Sequence, residues 1–83
     1  MNEQEITNAL AILSDLESDT QLPKNVRSSV TRIIGFLKNS DEDISIRVDK
    51  AMQELEEICS DINVQAYSRT QIYHVVSMLE NSL

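Results

Sequence analysis

The sequence predicts an all-α fold: a compact four-helix domain made of two related helical hairpins, a HEAT- or armadillo-like repeat with bundle-like packing. Three observations predict it. The 83 residues hold one glycine and one proline, too few for the tight turns that β-hairpins need. Four segments carry apolar residues at the helical period. The second half then repeats the first 42 positions later, with Ala9 meeting Ala51 and Leu13 meeting Leu55.

Helix one is expected over Glu3–Glu17, where Ile6, Ala9, Leu10, Leu13 and Leu16 make one stripe. Helix two is expected from Pro23 to Asn39. Proline suits the first helical turn, where its missing N–H costs nothing. Val26, Val30, Ile33, Ile34 and Leu37 form the stripe, with Gly35 inside it. An interior glycine costs about 1 kcal/mol against alanine, so close approach of another backbone is the expected reason for Gly35. After the linker NSDEDI, helix three is expected over Ile44–Cys59, with Ile44, Val48, Ala51, Met52, Leu55 and Ile58 inward. Helix four is expected over Gln65–Asn81, with Ile72, Val75, Val76 and Leu79 in the core and Tyr73 at its edge.

The repeat covers residues 6–39 and 48–81. It pairs turn residues as well as core residues: Ser18 and Asp19 meet Ser60 and Asp61, and Arg27 meets Arg69. Turn matches set it apart from the apolar spacing that any two amphipathic helices share. Neither hairpin can bury its apolar face alone, so the units must stack into a single domain over residues 1–83. Two stacked units leave apolar ends, and a homodimer or other homo-oligomer is the expected consequence.

Charge and cysteine content narrow the function. The net charge is −7, which repels phosphate backbones and anionic lipid. Nucleic acid is therefore disfavoured, and no apolar run reaches the length of a membrane span. Cys59 is the single cysteine, so no internal disulfide is possible and a reducing, cytoplasmic setting is expected. The N-terminus MNEQEITNAL lacks the basic-then-apolar pattern of a signal peptide.

The segments LPKNVRSSV, DEDISIRVDKAMQEL and SRTQIYHVVSMLE resemble a small archaeal family of all-helical proteins known only as uncharacterised family 0147. In that family each half carries a proline, a polar spacer and an arginine, with an acidic linker between halves. Pro23 fits the first half, and Asp41, Glu42 and Asp43 fit the linker. Gln65 and Tyr73 depart from it, standing where a proline and a tryptophan are usual. The resemblance implies an archaeal, cytoplasmic, helical protein. It implies no activity, cofactor or catalytic residue.

The spaced acid and arginine recur three times, as Asp19 with Arg27, Asp41 with Arg47, and Asp61 with Arg69. A carboxylate before a helix start can accept backbone N–H bonds, and an arginine can fork onto a neighbouring carboxylate. The six residues are expected to form a structural clamp between stacked turns. Aligned arginines binding an anionic ligand is the competing reading. His74 lacks the companion ligands that zinc needs and is expected on the surface of helix four or in a subunit contact. Cys59 lies among Glu56, Glu57 and Asp61, so an unreactive, at least half-buried thiol is expected. Counted from Asp41, a calcium loop would need glycine and glutamate where Ile46 and Met52 stand. Glu54, Glu56 and Glu57 read as a solvated face, and no nucleophile or phosphate-loop motif occurs. No metal, cofactor or catalysis is expected.

Charge is segregated along the chain. Residues 1–19 hold five acids and no base, and residues 20–39 hold four bases (Lys24, Arg27, Arg32, Lys38) and no acid. Residues 40–61 hold eight acids and two bases, and residues 62–83 one of each. Helix two either matches acidic helices one and three within the chain or turns Lys24, Arg32 and Lys38 toward a partner. The expected function is a non-catalytic protein–protein interaction module, self-associating or with an unidentified protein partner. The alternative is a nucleic-acid-binding accessory protein that uses helix two.

Overall fold

A computed structural model describes residues 3–82, which form four helices: α1 (Glu3–Glu17), α2 (Lys24–Lys38), α3 (Ile44–Cys59) and α4 (Ala66–Asn81). No strand occurs among the described residues, and none of their helices is long and apolar enough to cross a membrane. Pro23 and Gln65 stand just outside their helices as extended N-cap residues, and Asn39 closes α2 from outside. The fixed φ of proline still sets the entry angle of α2 from that position.

Each helix turns one stripe inward. Leu13, Ile33, Leu55, Ile72 and Leu79 are among the largest fully buried side chains, and Leu22 and Val64 plug the core from the turns. Leu10, Ile34, Met52 and Val76, expected in the core, are half-buried at its margin. Each directly follows a buried residue (Ala9, Ile33, Ala51, Val75). One helical residue is a rotation of about 100°, enough to carry a side chain out of the stripe.

Burial follows the 42-residue offset. Ile6 and Val48, Leu16 and Ile58, Leu22 and Val64, Val30 and Ile72, and Leu37 and Leu79 are buried together. The packing differs from the expected HEAT-like stack. In a solenoid, equivalent helices of successive units lie side by side. Here α1 lies beside α2 and α4, α3 lies beside α2 and α4, and the equivalent pairs α1/α3 and α2/α4 face each other across the core without close backbone approach among the described residues. The helices close a ring in which each hairpin caps the other.

Gly35 also differs from expectation. It is exposed, and a Cβ built there would meet nothing within 4 Å. No backbone approaches it, so its only structural effect is to weaken α2. Gly35→Ala is expected to raise stability by about 1 kcal/mol, read from the urea unfolding midpoint.

Candidate functional site: helix junctions and the outer face of α4

The three junctions share one construction. Asp19 Oδ1 accepts the Gln21 N–H at 2.9 Å, Asn39 Oδ1 accepts the Asp41 N–H at 3.2 Å, and Asp61 Oδ1 accepts the Asn63 N–H at 2.9 Å. A short polar side chain bonding two residues ahead closes the turn. Four residues after each such residue comes the N-cap: Pro23, Asp43 and Gln65. Four further on comes an arginine whose N–H donates to the N-cap carbonyl: Arg27 to Pro23 at 3.0 Å, Arg47 to Asp43 at 3.1 Å, Arg69 to Gln65 at 2.9 Å. In the middle junction the turn residue is thus Asn39, not the expected Asp41, whose side chain is exposed.

The arginines do not fork onto the aspartates, and among the described residues no Asp–Arg ion pair forms. Arg69 donates to the carbonyls of Asp61 at 2.9 Å and Val64 at 3.2 Å, holding the last turn from inside. Arg47, 9% exposed, donates to the Leu37 carbonyl at 2.9 Å and to Glu3 Oε2 at 3.1 Å. Leu37 lies in the last turn of α2, where carbonyls lack helical partners and the dipole is negative. Arg47 therefore ties α1, α2 and α3. Arg27 is half-buried, and its Nε, like that of Arg47, is buried without a partner. At Arg47 and Arg69 guanidinium-to-carbonyl bonds replace the expected salt-bridge clamp, because a helix end and a closed turn offer them carbonyls.

Two titrating groups report on the third junction. The Asn63 N–H, then the Asn25 side chain at 3.2 Å, hold the Asp61 carboxyl below its ordinary range. Burial pushes the Cys59 thiol up, against a smaller opposing pull from Arg69. Cys59 is half-buried, so its protonated, weakly nucleophilic form is favoured.

The basic charges of α2 turn partly inward. Lys24, Arg32 and Lys38 are exposed, but Arg32 Nε reaches Glu54 Oε1 on α3 at 3.2 Å. Beside this pair a shallow groove of about 280 Å³ is lined by Phe36, Lys50, Gln53, Glu54 and Glu57. Lys50 sits 6.0 Å from the Phe36 ring centre and pairs with Glu42 at 2.8 Å. The groove wall is largely neutralised by its own ion pairs. Glu54, expected as part of a solvated face, is half-buried in this contact, whereas Glu56 and Glu57 are exposed. Among the described residues no group of histidine, cysteine and carboxylate side chains is placed to hold a metal ion.

The outer face of α4 is the surface that sequence reasoning missed. Ala66, Tyr67, Thr70, Tyr73, His74, Ser77, Glu80 and Asn81 are all exposed, and Glu80 alone is charged. Tyr67 is 73% exposed and Tyr73 55%, and Ile62, in the turn before α4, is 90% exposed. Gln71 Nε2 donates to the Tyr67 hydroxyl at 3.1 Å and fixes that ring against the helix. The 42-residue offset sharpens the contrast. Lys24, Asn25, Thr31 and Arg32 of α2 correspond to Ala66, Tyr67, Tyr73 and His74 of α4. On one backbone plan, α2 carries a basic face and α4 a neutral, aromatic one. The signal was already present in the near absence of charge over residues 62–83.

Comparison with known proteins places this chain in a group. A family model described as "Uncharacterised protein family (UPF0147)" matches residues 1–82. A UPF0147 protein of Sulfurisphaera tokodaii is 38% identical over 79 residues, covering 95% of this chain and 89% of its own. One from Methanosarcina mazei is 35% identical over 75 residues, covering 90% and 81%. The crystal structure of a protein from the uncharacterized family UPF0147 of Thermoplasma acidophilum superposes with a TM-score of 0.93 at 28% identity, covering 98% of this chain and 95% of that one.

The junction geometry makes two predictions. Arg47→Met is expected to lower stability by about 2 kcal/mol, since it removes the guanidinium's bonds to the Leu37 carbonyl and to Glu3 and leaves that carbonyl without its donor. Arg27→Met, which breaks no bond of the kind Arg47 makes to the end of α2 and to α1, is expected to change it by less than about 0.5 kcal/mol. Urea unfolding of both variants checks the contrast. The depressed Asp61 pKa is a stabilising contribution present above the unfolded value and lost as pH falls through the folded one. Asp61→Asn should therefore differ from the parent by a constant amount between about pH 7 and 5, and by less as pH drops below about 4. Unfolding midpoints across that range read it.

Proposed function

The chain belongs to the uncharacterised protein family UPF0147, and from that premise we propose that it is a non-catalytic protein-interaction module that docks through the outer face of α4. One observation carries the reading: exposed tyrosines on a helix face with a single charge, in a chain of net charge −7. The centres of protein interfaces are depleted in charge and enriched in tyrosine. Tyrosine supplies large contact area with a polar tip that tolerates water when the face is free. The basic face of α2 is the weaker candidate, with Arg32 held by Glu54 and Lys24 and Lys38 about 21 Å apart along the helix at 1.5 Å per residue. A cytoplasmic setting goes with the same proposal.

A photoreactive benzophenone side chain at Thr70 of α4, compared with one at Thr7 of α1, tests this. Both positions are exposed. In native cell extract, Thr70 is expected to give adducts of discrete mass, and Thr7 none. Equal labelling from both positions, or none from Thr70, would overturn the reading.

A further inference from the structure

We infer that the occupant of the α4 face is a second copy of this chain, packed α4 against α4 about a two-fold axis; this rests on the docking role proposed above. The argument is electrostatic and follows from symmetry. A two-fold pairing sets each surface patch against itself. With α1 on α1 in an antiparallel pair, the exposed acid Glu3 of one copy would stand near Asp15 of the other at both ends of the contact. With α2 on α2, Lys24 would stand near Lys38 in the same way, and the two Arg32 side chains would meet near the centre. With α3 on α3, the exposed charges are Asp49, Lys50, Glu56 and Glu57, a net acidic set. Paired antiparallel, α4 sets no exposed charge of one copy against a like charge of the other, because Glu80 lies in its last turn and faces the neutral Ala66 and Tyr67 at the start of its copy. In an antiparallel pair the two Glu80 side chains stand at opposite ends.

Shape agrees with charge. Ala66, Thr70 and Ser77 run along the middle of the exposed face, with Tyr73 on one side and Tyr67 and His74 on the other. A low central row between aromatic flanks lets the tyrosines of one copy lie over the small residues of the other. The 16-residue helix is about 24 Å long. One face of it offers less than the roughly 800 Å² per partner of a standard interface. The dimer is therefore weak and concentration-dependent.

Sedimentation equilibrium of the purified full chain from about 10 µM to 1 mM tests the inference, with Thr70→Lys and Thr70→Glu as variants whose folding is checked by circular dichroism. The parent is expected to pass from monomer to dimer. Each variant alone should weaken dimerisation at least about tenfold, and an equimolar mixture of the two should restore it as a heterodimer. A parent that stays monomeric throughout would overturn the inference, as would a dimer that neither variant weakens. A monomeric parent that still forms saturable Thr70 adducts heavier than two chains would overturn the second copy alone and leave the docking role in place. Absence of any Thr70 adduct would remove both.

Discussion

Neither hairpin has enough apolar surface of its own to hold together, and that shortage organises the molecule. A helix pair buries a stripe only where something covers it. The cover for α1 and α2 is α3 and α4, which carry the same stripe 42 positions on. Burying a large apolar side chain is worth about 1.5–3 kcal/mol, and the largest buried residues come from all four helices. Loss of one hairpin would expose the other's stripe to water. Closure as a ring, rather than as an open stack, follows from having two units and no third to cover the ends.

Closure dictates where polar groups are used. Three junctions must turn the chain back within five or six residues. Each does so with a side-chain-closed turn, an extended N-cap residue and an arginine in the helix that follows. Arg47 has the widest reach, meeting the Leu37 carbonyl in the last turn of α2 and the first turn of α1. Exposed ion pairs such as Arg32–Glu54 contribute about 0–1 kcal/mol. They orient neighbouring helices more than they hold them. The charge of α2 is thereby partly used within the chain, and α4, with little charge to match, is left with a neutral aromatic exterior.

Most of the architecture was legible in the sequence. The apolar period placed the helices to within a residue, because each stripe is long and its ends are punctuated by Pro23, by Asn39 and by the acidic turns. The ring was not legible, since period and offset say which residues face inward but not which helix lies beside which. The junctions were half legible. Aligning the Ser–Asp pairs put Asp41 in register with Asp19 and Asp61. The common interval is eight residues, running from Asp19 to Arg27, Asn39 to Arg47 and Asp61 to Arg69, so Asn39 is the member that matches. Carboxylate-to-guanidinium pairing was the wrong chemistry because unpaired carbonyls at helix ends and closed turns also attract arginine. On the surface, attention went to charge that was present, whereas the α4 face is marked by charge that is missing.

Native-state hydrogen exchange on the intact chain tests the mutual dependence of the hairpins most directly. The slowest amides of all four helices, at core positions such as Leu13, Ile33, Leu55 and Val75, should share one opening free energy equal to that of global unfolding. If α1 and α2 keep protection under conditions where α3 and α4 have lost it, or the reverse, one hairpin stands without the other and the account of a shared core is wrong.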